Sequence, residues 1–241
     1  MNHFNDKGKK IGKVEYNKTQ LKVIPAVERG MIHRDYIAHM MRFSHVVDYL
    51  GKSNNYIVLD IGCGNMELGT VLYTNRCKPK NYIGIDIRDI GLPDFSFPVE
   101  FIKQDITLPL PKVEPNLIVC FEVIEHMSKE SGIKLLKSIH DAANIGTKIL
   151  LSTPCNDDIH FPKNHIYEWH YQELKDELEK SFTIVDHYGT FMNTKLLWKM
   201  NIDQELLSKQ RKYMSVDYLS VIYASAYPEK SRNVMWDLRT I

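Results

Sequence analysis

Two groups of residues in this 241-residue chain have side chains and spacing suited to chemistry. The first is "VLDIGCG", residues 58 to 64, where a run of strand character ends in Asp60 and passes through Gly62, Cys63 and Gly64 into a helix-like segment. Glycines at such a turn let the backbone approach a ligand where a side chain would collide. The second is "FEVIEHM", residues 121 to 127, with Glu122, Glu125 and His126 at i, i+3 and i+4, joined by a later His165 in "NHIYEW". If the first of these segments turns helical, its three residues share one face. Carboxylates beside imidazoles suit a divalent cation such as Mg or Mn, with His165 completing the set. Without a metal, His126 or His165 suits a general base acting on a hydroxyl.

The glycine turn limits its own ligand. A pyrophosphate cradle needs a third glycine two residues beyond the second, but Met66 and Glu67 follow Asn65 and the next glycine is Gly69. Asp60 places a carboxylate where a phosphate would be repelled and where a ligand carrying an ammonium and a sulfonium would be attracted. S-adenosylmethionine is such a ligand. Asp86, ending the strand-like "NYIGID", stands where an acceptor for two ribose hydroxyls belongs. Asp105, ending "VEFIKQD", could accept from an adenine amino group while Ile87 and Ile106 sandwich the ring. With Gly62, Cys63, Gly64 and Phe121 these residues form the expected cofactor-binding set.

Positioning these groups requires strand ends gathered along one edge of a sheet. Strand-like runs at 56 to 60, 81 to 86, 99 to 105, 116 to 122, 148 to 154 and 182 to 188 alternate with helical patterns near 66 to 75, 129 to 144 and 171 to 180. That alternation predicts an α/β fold, a Rossmann-like, doubly wound, seven-stranded and mostly parallel sheet. The run "YLSVIYASAY" (218 to 227) follows a polar, partly helical stretch without another crossover helix and reads as a last, antiparallel strand. Ahead of the sheet, Tyr36, Met40, Phe43, Val47 and Leu50 recur at helical spacing, with Arg34, Asp35, Arg42, His45 and Asp48 elsewhere around the cylinder. An N-terminal amphipathic helix is expected there.

Composition sets the limits. With 44% hydrophobic residues the chain suits one well-buried domain, and a formal net charge of +1 argues against an overall polyanion-binding surface. Residues 1 to 30 carry Lys7, Lys9, Lys10, Lys13, Lys18, Lys22 and Arg29 against three acids and read as a basic arm or short hairpin, leaving 31 to 241 as the domain. Its core is expected at about 55 to 190. Residues 190 to 215, with Lys195, Lys199, Lys209, Arg211 and Lys212 beside Phe191, Trp198 and Tyr213, form an expected specificity cover. Cys63, Cys77, Cys120 and Cys155 show no paired metal spacing, and the polar N-terminus lacks the apolar run of a signal peptide. A soluble cytoplasmic protein with no membrane contact is the expectation.

The motifs together resemble the class I S-adenosylmethionine-dependent methyltransferases, in "VLDIGCG", "GIDI" and "QDIT". The resemblance implies that Asp60 and Gly62 lie by the methionine moiety, Asp86 by the ribose and Asp105 by the adenine. The acceptor segments resemble two groups. One is the small-RNA 3′-terminal 2′-O-methyltransferases, in which a Glu-x-x-Glu-His cluster and a later histidine bind a metal, here implying Glu122, Glu125, His126 and His165. The other is the ubiquinone-type O-methyltransferases, which use the glutamate and histidine on the substrate or as a base. The amino-methyltransferase motif Asp/Asn-Pro-Pro-aromatic is missing after the fourth strand, which disfavours exocyclic base nitrogens. Cys155 in "STPCND" occupies the place of a nucleophile in RNA carbon-5 methyltransferases, and "YPEKSRNVMW" resembles the endings of phage-encoded methyltransferases. The expected acceptor is a hydroxyl or amine, on nucleic acid first and on a small molecule second. A cofactor-binding partner subunit without catalysis is the third reading.

Overall fold

The structure, a computed structural model, describes residues 2–4, 10–13, 34–158, 161–200 and 202–241. Strands β1 (Asn2–Phe4) and β2 (Lys10–Lys13) pair antiparallel by themselves, and the rest of the expected basic arm lies outside the described residues. Helix α1 (Arg34–Leu50) precedes an alternation of β3 (Ile57–Ile61), α2 (Glu67–Thr74), β4 (Asn81–Asp86), β5 (Val99–Lys103), β6 (Leu117–Phe121), α3 (Lys129–Ala142), β7 (Lys148–Pro154), α4 (Tyr171–Leu178) and β8 (Phe182–Phe191). Short helices α5 (Thr194–Leu197), α6 (Gln204–Arg211) and α7 (Val216–Ala226) then lead into β9 (Asn233–Thr240).

The seven-stranded sheet has the order β5-β4-β3-β6-β7-β9-β8. β3 pairs parallel with both β4 and β6, while β9 runs antiparallel between β7 and β8. Successive crossovers therefore leave β3 in opposite directions along the sheet. The gap this opens between the carboxyl ends of β3 and β6 is where open α/β sheets bind ligands. One apolar layer, with Leu135, Ile139, Trp169 and Leu174, backs one face of the sheet; the other, with Val46, Leu50, Leu68 and Leu72, backs the opposite face.

Two expectations are corrected. "YLSVIYASAY" is helix α7, and the antiparallel strand is the later "NVMWDLRT". Val216, Leu219, Ser220, Tyr223 and Ala224 recur at i, i+3, i+4, i+7 and i+8, a helical period hidden beneath strand-favouring residue types, and Ser215 caps the start by accepting from the Tyr218 amide. β9 was missed because it is covered on both faces: Asn233 through Trp236 are all buried, which removes the alternation that marks a half-exposed strand. In α1, Arg42 does not lie on the polar side. It occupies the buried stripe Ala38, Arg42, Val46, Leu50, where it is 1% exposed.

Candidate active site

The β3–α2 turn is built around two glycines in the left-handed region, Gly62 (φ 71°) and Gly64 (φ 58°). A Cβ on Gly62 would stand 2.4 Å from Val123 Cγ2, so the turn can pass beside the end of β6 only as glycine. The cleft that opens there measures about 540 Å³ and is lined by Gly62, Asp86, Ile87, Arg88, Gln104, Asp105, Ile106, Thr107, Glu122, Val123, His126 and Met127. Three of the strand ends picked from sequence thus meet in one cavity.

The carboxylates do different work. Asp86 accepts from the Gly64 amide at 3.0 Å and from Arg88 Nε and Nη2, each at 3.0 Å. Burial pushes its pKa up, but the Arg88 contacts and the Gly64 amide outweigh that and hold it below the usual carboxylate range. Asp105 is exposed and accepts from the Thr107 amide and hydroxyl at 2.9 and 2.8 Å, which lowers its pKa. Asp60 does not line the cleft. It is 5% exposed beneath the turn, accepts a hydrogen bond from the Tyr82 hydroxyl, and is pushed up to about 7 by burial. Cys63 is buried against Gly84, and Phe121 packs against Phe43 with ring centroids 6.5 Å apart, so neither borders the cavity.

On the acceptor side the expected shared helical face does not form. Only Ile124–His126 makes a single 3-10 turn, and Glu122 stands before it with φ 56°, a left-handed conformation that costs a non-glycine residue energy. The Glu122 carboxylate borders the cleft but is engaged by partners outside the Glu125 and His126 turn. It accepts from Ser152 Oγ at 2.8 Å and from Asn233 Nδ2 at 2.8 and 2.9 Å, with Arg42 Nη1 at 3.3 Å. Burial alone would raise its pKa, but these partners hold it lowered. The four-residue metal set is therefore corrected to three: Glu125, His126 and His165 bring ligand atoms within 4.8 Å of one another, without Glu122.

Each of the three has a fixed orientation. Glu125 is buried, accepts from Thr153 Oγ1 at 3.1 Å, and has its pKa raised by burial and by Glu122. His126 Nδ1 meets the Asn164 carbonyl at 2.8 Å, and His165 Nδ1 meets the Glu168 carboxylate. Both rings thereby have Nδ1 engaged, which leaves Nε2 for other work. The backbone amides of Ile166 and Tyr167 donate to the Glu125 carbonyl, so the "NHIYEW" loop is pinned against the 3-10 turn. Cys155 is 2% exposed and its thiol is pushed up to about 12 by burial, which removes the thiolate that a nucleophile needs.

A family model described as a methyltransferase domain matches residues 33–194. The chain belongs to the class I S-adenosylmethionine-dependent methyltransferases. A curated relative of this methyltransferase, the tRNA U34 carboxymethyltransferase of Campylobacter fetus subsp. fetus (strain 82-40), is 29% identical over 122 residues, 47% of this chain. The match spans 41% of that relative's length. Among solved structures, the Burkholderia thailandensis 1,6-didemethyltoxoflavin-N1-methyltransferase, bound to 1,6-didemethyltoxoflavin and S-adenosylhomocysteine, superposes with a TM-score of 0.56 at 13% identity. It covers 84% of this chain and 78% of its own. The small RNA methyltransferase HEN1 gives 0.56 at 14% identity, covering 84% of this chain and 25% of its own. At such identities these likenesses speak for the fold alone. Among the described residues no helix is long and apolar enough to cross a membrane.

The cleft of this methyltransferase fits the family's cofactor on its own terms: a glycine turn that bars any Cβ, an acid at the end of β4, and apolar Ile87 and Ile106 on the rim. The residues that sequence reading missed are the supporting partners Arg42, Tyr82, Arg88, Gln104, Ser152, Thr153, Glu168, Arg232 and Asn233. For Arg88 the signal was present, two residues beyond the acid in "GIDIR". Glu168 likewise stands three residues after His165, and for Tyr82, Ser152, Thr153, Arg232 and Asn233 no local pattern existed, because their partners are distant in sequence.

Proposed function

We propose that this methyltransferase transfers a methyl group to a hydroxyl, with the ribose hydroxyl of a nucleic acid as the first acceptor. The observation that carries the reading is the cluster Glu125, His126 and His165, whose His126 also lines the cofactor cleft. Bound in the cleft, S-adenosylmethionine would supply the methyl group, the new C–O bond to the acceptor forming as the C–S bond breaks with its electron pair kept on sulfur. The chain's own residues hold the hydroxyl and receive its proton at an imidazole Nε2, a contribution of about 10² to 10⁴-fold. Positioning provides most of the remaining acceleration.

The donor set of one carboxylate oxygen and two imidazole nitrogens also suits a divalent cation, and Glu125, His126 and His165 would hold it. Such an ion would polarise the acceptor hydroxyl and favour its ionisation. The carboxymethyltransferase relative, which acts on tRNA, supports a nucleic-acid acceptor. A small-molecule hydroxyl or amine is the second reading, favoured by the toxoflavin-precursor enzyme among the structural neighbours.

The test is methyl transfer from labelled cofactor to RNA, DNA and small-molecule extracts, with and without a chelator. Labelled RNA, lost in the His126→Ala and His165→Ala variants while affinity for S-adenosylhomocysteine stays unchanged, is the expected result. Label confined to small molecules would overturn the nucleic-acid reading, and full activity after exhaustive chelation would remove the cation.

A further inference from the structure

We propose that Glu168 is a positioning residue for His165, holding the imidazole with its proton on Nδ1 so that Nε2 faces Glu125 and His126. The proposal rests on the functional reading above for its catalytic meaning and on geometry for its content. Glu168 is 2% exposed, and a buried carboxylate persists only when paired. Two donors are in place: His165 Nδ1, and Arg232 Nη2 at 2.5 Å. Arg232 is itself fixed through Nη1, which donates to the Cys155 carbonyl at 2.6 Å.

The carboxylate is shared between the histidine and the guanidinium. A guanidinium and a carboxylate left to themselves favour the forked arrangement with two parallel hydrogen bonds. Here both donors converge on Oε1, while the buried Oε2 has no hydrogen-bond partner among the described residues. Arg232 cannot fork onto the carboxylate because Nη1 is committed to the Cys155 carbonyl and Nε is turned toward Asp157 at 3.9 Å, and Oε1 carries the histidine as well. Its backbone cannot drift, because Ile166 and Tyr167 donate to the Glu125 carbonyl and the Asn156 amide donates to the Trp169 carbonyl at 2.8 Å. The loop fixes where His165 sits, and Glu168 fixes which way its ring points. A carboxylate behind an imidazole also makes the opposite nitrogen more basic, which serves either a proton acceptor or a metal ligand.

Long-range proton–nitrogen correlation spectra of the intact protein read the tautomer directly, with the His165 signals identified by their loss in His165→Ala. The neutral ring is expected with its proton on Nδ1. In Glu168→Gln the neutral amide gives a hydrogen bond about half as strong. The Nε2-protonated form should then become visible, and kcat should fall about tenfold, the low end of the range for such outer partners. KM and affinity for S-adenosylhomocysteine should stay within about twofold. A native His165 protonated on Nε2 would overturn the proposal, and so would a Glu168→Gln protein that keeps the native tautomer, whatever its rate. If the variant does not fold, the spectrum of the unaltered protein still decides. If no acceptor is ever methylated, the functional reading fails, and the tautomer tests the positioning role independently.

Discussion

Asp60 is a residue whose environment changes its chemistry. Its carboxyl is pushed up to about 7 from 3.8, by burial first, with the Tyr82 hydrogen bond pulling the other way. A group whose pKa is higher folded than unfolded binds more protons in the native state, so the stability it contributes is complete below about pH 4 and lost as pH rises through 7. The ligand-free protein should therefore lose stability between pH 4 and 7 at this site, and Asp60→Asn should flatten that segment of the profile. Denaturant midpoints collected across the range check it; an unchanged slope in the variant would show that Asp60 is not the titrating group. Sequence reading placed Asp60 correctly at the end of the first strand but gave no hint of Tyr82, which lies on the neighbouring strand.

At the scale of elements, two junctions decide the site. The first is the β3–α2 turn, where Gly62→Ala puts a methyl 2.4 Å from Val123 Cγ2 at φ 71°. Strain of about 1–3 kcal/mol at such a backbone corresponds to roughly 5- to 150-fold in binding. Affinity for S-adenosylhomocysteine should fall in that range by calorimetry, with helical content unchanged. The second is the tie between α1 and the end of β6, where buried Arg42 reaches Asn233 at 3.0 Å and Glu122 at 3.3 Å. Arg42→Met strands the Glu122 charge, and because that carboxylate is part-exposed the loss should lie near the lower end of about 3–5 kcal/mol. The double variant Arg42→Met with Glu122→Gln should recover part of it, a coupling that chemical denaturation measures. The helical spacing of α1 was legible in the sequence. That Arg42 lies inside its stripe was not, since the buried guanidinium depends on the Glu122 carboxylate and the Asn233 amide, both distant in sequence, as well as on His39 one turn earlier at 2.9 Å.

For the molecule as a whole, cofactor and stability are linked through the cleft between β3 and β6. A ligand that binds only the folded state stabilises it by about 2.7 kcal/mol at a hundredfold excess over its dissociation constant. S-adenosylhomocysteine should raise the unfolding temperature by several degrees, and the shift should shrink in Gly62→Ala in step with its weakened affinity. No shift in the native protein would mean that the cavity serves another ligand.

By itself the sequence determined the alternating sheet, the glycine turn, the acids Asp86 and Asp105 at strand ends, and the proximity of Glu125 to His126. All of these are local: a period, a backbone conformation, or neighbours along one strand end. The sequence also named His165 as a partner for that pair; only the tertiary structure tied Glu122 to Ser152, Asn233 and Arg42, identified "NVMWDLRT" as the antiparallel strand, and seated Arg42 and Arg232. The physical reason is that a buried charge is set by partners that meet only when the chain closes, and no spacing along the sequence encodes which partners those are.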